Sequence, residues 1–184
     1  MKLLTQLKIL IAVSIALFSI TSFAEFTLTS PAMENGTRMP ADLKCTRDGG
    51  DGLSPPIAWT GAPANTKSFA VIMHHYPPSK VEGVDKPSSY WLLWNVPTSV
   101  SEIARGNPES IGTEGGEKDK RYIGYTPPCS PTSTVEHTYV ITVYALDSET
   151  LSLGSEDDID VDWATMTDAI EGKVLEAATF SFIN

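Results

Sequence analysis

The nine residues from Thr138 to Leu146 read T-Y-V-I-T-V-Y-A-L, almost wholly β-branched or aromatic. Such side chains lose rotamer freedom in a helix and pack well on a pleated surface, so this segment reads as a strand. The rest of the chain repeats that message at period two. Phe26 and Leu28 alternate with Thr27 and Thr29 between Glu25 and Ser30, and Pro55–Trp59 is a short strand entered through a Pro-Pro pair. Lys67–His75 and Tyr90–Val96 are more continuously apolar, as strands covered on both faces are. In Leu175–Ile183, Ala178, Phe180 and Phe182 share one face. Only one segment has helical spacing: Asp162 precedes Trp163, Met166, Ala169 and Ile170, and Gly172 supplies the stop. The polar, Gly-rich stretch from Arg105 to Tyr122 reads as a loop. With no internal repeat and no linker, the reading is one mainly β domain with a short helix near its C-terminus.

The balance of 13 Lys and Arg against 23 Asp and Glu gives a formal charge of −10, and no basic cluster is present. A phosphate-backbone surface needs one, so nucleic acid is excluded as a partner. Five of the acids, Glu156, Asp157, Asp158, Asp160 and Asp162, crowd the helix start. The helix dipole favours them there, and they lack the ligand spacing and central Gly of a calcium loop.

The N-terminus has the parts of a secretory signal peptide: Lys2 and Lys8, an apolar run from Ile9 to Ile20, and Ser22 and Ala24 at a small-x-small cleavage site. The run is short for a membrane span, and no stop-transfer pattern follows. Residues 1–24 are therefore expected to be removed, leaving 25–184 as a periplasmic or secreted domain with no integral membrane segment. In that oxidising setting the two cysteines, Cys45 and Cys129, favour a disulfide. Two buried thiols, or one reactive thiol near a pocket, are the alternatives.

All three histidines lie at strand ends. His74 and His75 close one strand and run into Tyr76-Pro77-Pro78. Tyr90 and Trp91 open the next. His137 starts the Thr138–Leu146 strand after the loop Tyr125-Thr126-Pro127-Pro128-Cys129-Ser130-Pro131. Residues i and i+2 of a strand share a face, so His137 and Tyr139 point into one cavity. Adjacent His74 and His75 point to opposite faces, so at most two histidines meet there, and no metal site or cofactor is expected.

S-P-P-I-A-W (Ser54–Trp59), P-A-N-T-K-S-F-A (Pro63–Ala70), W-N-V-P (Trp94–Pro97), P-P-C-S-P (Pro127–Pro131) and H-T-Y-V-I-T-V-Y-A-L-D (His137–Asp147) follow in order, with A-I-E-G-K-V-L-E-A-A (Ala169–Ala178) closing the chain. In these blocks the sequence resembles the phosphatidylethanolamine-binding protein family, in its bacterial Raf-kinase-inhibitor-like (YbhB/YbcL) branch. The resemblance implies a Greek-key fold of two antiparallel sheets, one or two short helices near the C-terminus, and a small anion pocket at one end. Carried over by motif, the pocket comprises Cys129, Ser130 and Pro131 of the loop, His137 and Tyr139 of the strand, Tyr90 and Trp91 in place of a His-Trp pair, and His75 in place of an Asp. A one-residue gap would give that last position to His74.

Replacing Asp by His removes a negative charge and adds a group that becomes cationic near neutral pH. The expected pocket therefore has no carboxylate of its own and accepts a phosphate or carboxylate through neutral or cationic donors. No G-x-S-x-G elbow, paired carboxylate or H-E-x-x-H motif occurs, and Ser130 with His137 lacks a third orienting group, so no enzyme activity is expected. The leading expectation is a binder of a small anionic ligand. The alternative is an interaction or inhibitor module for a protein partner, with a vestigial pocket.

Overall fold

The computed structural model describes residues 24–117, 120–130 and 135–184. The expected leader, apart from Ala24, lies outside the described residues, and so does Pro131. The strands are β1 (Thr27–Thr29), β2 (Ile57–Thr60), β3 (Ser68–His75), β4 (Ser88–Pro97), β5 (Glu102–Ile103), β6 (Thr113–Glu114), β7 (Gly116–Glu117), β8 (Tyr122–Ile123), β9 (Thr138–Leu146) and β10 (Val174–Ile183). The helix α1 is Trp163–Ile170, and two 3-10 turns occupy Ala41–Leu43 and Thr46–Asp48. At the start of α1, the Asp162 side chain accepts a hydrogen bond from the Thr165 amide at 3.0 Å, the capping role its position predicts.

A five-stranded antiparallel sheet has the order β10-β9-β3-β4-β6, and a three-stranded sheet has the order β1-β2-β5. Period-two alternation decides what each face meets. Phe69, Val71 and Met73 of β3, Ile141, Val143 and Ala145 of β9, and Ala178, Phe180 and Phe182 of β10 point inward with Leu28, Ile57 and Trp59 of the smaller sheet and with Phe26 just before it. Ala70 and Ile72 of β3, with Leu92 and Trp94 of β4, point the other way and are covered by Met166, Ala169 and Ile170 of α1. The five-stranded sheet is thus sandwiched, which is why β3 and β4 read as nearly continuous apolar runs.

The stretch from Arg105 to Tyr122 is not all loop. β6 joins the large sheet, and β7 pairs with β8 as a small hairpin. Glycine explains the difference. The Gly116 amide donates to Val161 O at 2.9 Å, and a Cβ at Gly116 would sit 2.1 Å from Ile159 O. The glycines that look like loop signals permit close backbone docking instead. Among the described residues, no helix is long and apolar enough to cross a membrane.

Candidate functional site

β3 and β10 end, and β4 and β9 begin, at the same edge of the large sheet. The register extends from Phe182 opposite Tyr139 to His74 opposite Val140, one step short of His75. The rings form a stack across three strands: His75 to Tyr139 is 4.8 Å between centroids and Tyr139 to Phe182 is 5.4 Å. His137 stacks on the same His75 ring at 5.0 Å. Tyr90 closes the group edge-on, 5.4 Å from His75 and 5.0 Å from Tyr139.

Tyr90 reaches this face through a β-bulge. On β4 the register steps from Met73–Trp91 to His74–Ser89, leaving Tyr90 as the extra residue. A bulge lets two successive side chains share a face, so Tyr90 and Trp91 both enter the inner core. Trp91 is otherwise engaged: its indole N–H donates to Glu114 Oε1 at 2.8 Å, and its ring packs on Tyr125. Burial, then the neighbouring Tyr139, pushes the Tyr90 phenol well above its ordinary pKa. Burial likewise raises Tyr139, against a lowering hydrogen bond from Tyr90. Both phenols therefore remain neutral hydrogen-bonding groups through the physiological range.

The two adjacent histidines separate as strand geometry requires. His75 enters the stack. His74 turns to the outer face, against Trp163 at 4.8 Å and Tyr76 at 5.6 Å. Desolvation lowers its pKa to about 4, which keeps it neutral. A groove of about 700 Å³ runs over the outer face of β9 and β10, along Thr142, Tyr144, Trp163 and Thr179, and reaches His75 and His137 at the strand ends, with Glu82 and Glu136 also lining it. Glu136 is paired with Arg38.

The loop departs from beside Tyr90, whose carbonyl accepts from the Thr126 amide at 2.8 Å. Cys129 is joined to Cys45, with Cα atoms 5.1 Å apart, so it offers no free thiol. Ser130 is held on every side. Its hydroxyl accepts from Lys44 Nζ at 3.1 Å, its carbonyl accepts from Arg47 Nη2 at 2.6 Å, and its amide donates to Asp48. The Arg47 guanidinium, assisted by the Ser130 amide, holds the Asp48 carboxyl down at about 2. Two cations are thereby fixed to this loop on a strongly acidic chain. Cys45, Asp48 and Cys129 are also the one grouping of potential metal ligands among the described residues, and the disulfide occupies both sulfurs.

Two residues of this region escape sequence reasoning. Glu117 of β7 is fully buried and acts electrostatically on Tyr90, which corrects the expectation of a site without a carboxylate. Its sequence neighbourhood, G-G-E-K-D-K, reads as solvated loop and signals no burial. Asn184 exchanges both backbone hydrogen bonds with His137, at 3.0 and 2.9 Å. Directly opposed residues of antiparallel strands share a face, so the buried Asn184 amide stands beside the His137 ring. Among the described residues, neither of its side-chain polar atoms has a hydrogen-bond partner.

An antiparallel sandwich with a polar aromatic cluster at one end of its larger sheet defines the structural class. The family model for phosphatidylethanolamine-binding proteins matches residues 29–183, and the chain belongs to that family. It is 30% identical over 161 residues to a UPF0098 protein of Methanothermobacter thermautotrophicus, covering 82% of this chain and 93% of the relative. With the UPF0098 protein YbcL of Escherichia coli it shares 28% identity over 144 residues, covering 72% and 74%. Among solved structures, a phosphatidylethanolamine-binding protein homologue of Chlamydia trachomatis aligns with a TM-score of 0.72 at 30% identity, covering 89% of this chain and 98% of that one. The structure of E. coli YbcL has the same fold at a TM-score of 0.71 and 23% identity, covering 87% and 98%.

Proposed function

We propose that this chain is an exported, non-enzymatic binding protein that takes a small anionic ligand, bearing a phosphate or carboxylate, at His75 and His137. The observation that carries the reading is the convergence of His75, Tyr90, His137 and Tyr139 into one ring cluster, of which His75 and His137 line a groove. Imidazole and phenol groups supply donors to an anion, and Lys44 and Arg47 on the adjoining Ser130 loop add positive potential. Ser130 is engaged by Lys44, Arg47 and Asp48 rather than by a base, which supports a binder over a hydrolase.

Calorimetric titration with phenyl phosphate tests this. The parent protein binds it, and His137→Ala weakens binding by roughly 10- to 100-fold, the range expected for one charge-assisted hydrogen bond. Tyr90→Phe weakens it less, since it removes a neutral partner. Absence of binding in the parent, or unchanged affinity in His137→Ala, overturns the assignment.

A further inference from the structure

The outer face at the end of β3 carries a set of rings that the anion cluster does not use. His74 lies 4.8 Å from Trp163 and 5.6 Å from Tyr76 between ring centroids, and the two neighbours are inclined to it by 64° and 88°. They stand as steep walls over its ring. Tyr144 of β9 lines the same groove, close enough to Tyr76 for the two phenols to act on each other electrostatically. His74, Tyr76, Tyr144 and Trp163 are all only partly buried, so each leaves surface to the groove.

The charge of this arm is one-sided. Among the described residues, Glu82 makes no ion pair, whereas Glu136, beside His137, is matched by Arg38, and no Lys or Arg lines the groove. Burial, and after it the Glu82 carboxylate, raises the Tyr76 phenol above its ordinary pKa, so a neutral ring lies within reach of that negative charge. Desolvation holds His74 at about 4, so no cationic imidazole opposes it. Hydrogen-bond acceptors are scarce here. The Gly83 amide engages the Tyr76 phenol, the Thr142 hydroxyl engages the Tyr144 phenol, and His74 Nδ1 is buried.

We propose that this arm is a second binding site, for a methylated ammonium group held against Tyr76, Trp163 and Tyr144 with Glu82 as its counter-charge. An aromatic face carries the negative part of the ring quadrupole and attracts a cation placed over it, more strongly where water is excluded. A methylated ammonium spreads its charge over its methyl groups and needs no hydrogen-bond acceptor, so it loses little on leaving water. A primary ammonium brings three N–H donors that this arm meets poorly. A neutral group of the same shape gains nothing from Glu82. The formal charge of −10 further raises the local concentration of cations. The site stands apart from the anion reading, since neither His75 nor His137 is one of its walls.

An NMR titration followed at the Trp163 indole N–H and the amides of His74 and Tyr76 tests this with three probes. They are choline, its neutral isostere with a tert-butyl group in place of trimethylammonium, and its unmethylated counterpart ethanolamine. Probe concentrations reach roughly 20 mM, because one small cation in an open groove binds with a millimolar Kd. The expected result is that choline shifts the Trp163 indole and that the other two bind at least about 5-fold more weakly. Trp163→Leu weakens choline by about 10-fold or more. Glu82→Gln, an exposed change, weakens choline several-fold and leaves the neutral isostere unaffected. Equal binding of choline and its isostere shows a merely apolar groove, and ethanolamine binding as tight as choline shows a hydrogen-bonding site; either overturns the proposal. So does choline binding that leaves the Trp163 indole unshifted, or no binding at all. Should Trp163→Leu perturb folding, the Glu82→Gln arm decides: unchanged choline affinity refutes the assignment.

Discussion

The half-buried His74 makes stability fall in mild acid, and by an amount the structure sets. Its ring lies between Trp163 and Tyr76 on the outer face of β3, and Nδ1 is buried with no hydrogen-bond partner among the described residues. Desolvation lowers its pKa from 6.5 to about 4. The folded state therefore resists a proton that the unfolded state accepts. The stability present above pH 6.5 is lost as pH falls through that value, and the loss stops growing below about 4, where both states are protonated. A depression of that size corresponds to at most about 3 kcal/mol, and residual solvent access at this half-buried ring brings it nearer 2. His74→Phe keeps the ring packing and removes the titration. Urea unfolding of both proteins at several pH values between about 7.5 and 4, spanning the His74 range, isolates the effect. Carboxylates elsewhere titrate in both proteins and cancel in the difference. The Phe variant should gain about 2–3 kcal/mol on the parent between those limits. A difference that stays constant with pH would show that His74 is not desolvated and refute the reasoning.

Three further outcomes follow from other parts of the molecule. Reducing the Cys45–Cys129 bond, which spans 84 residues, should cost about 4–5 kcal/mol by loop-closure entropy; a parallel reduced sample in the same urea titration measures it. Phe182→Ala removes the end of the His75–Tyr139–Phe182 stack from a fully buried position and should cost about 3–5 kcal/mol in chemical denaturation. Intact mass of protein recovered from its native compartment should begin at Glu25; a mass retaining residues 1–24 contradicts the expected export.

The strands were legible wherever one face is apolar and the other is covered differently, because that alternation is a local property. Thr138–Leu146 is read to the residue, Lys67–His75 differs from Ser68–His75 by one residue, and Asp162 announces α1. The inward trio Ala178, Phe180 and Phe182 follows from spacing alone. The same logic separates His74 from His75. The short strands between Arg105 and Ile123 were not legible, because their glycines signal turns as readily as close approach to Ile159 and Val161.

By itself, then, the sequence determined the β class, the faces of the long strands and the presence of histidine and tyrosine at strand ends, since period and propensity act between near neighbours. Tertiary structure alone decided what those residues meet. The bulge that turns Tyr90 inward exists because β4 must stay in register with β3 on both sides of it. The burial of Glu117 arises in a short hairpin docked on the 158–161 segment. The place of Asn184 beside His137 comes from pairing β10 with β9 across an intervening helix. Each depends on hydrogen-bond register between segments distant in sequence, an energy that no local pattern carries.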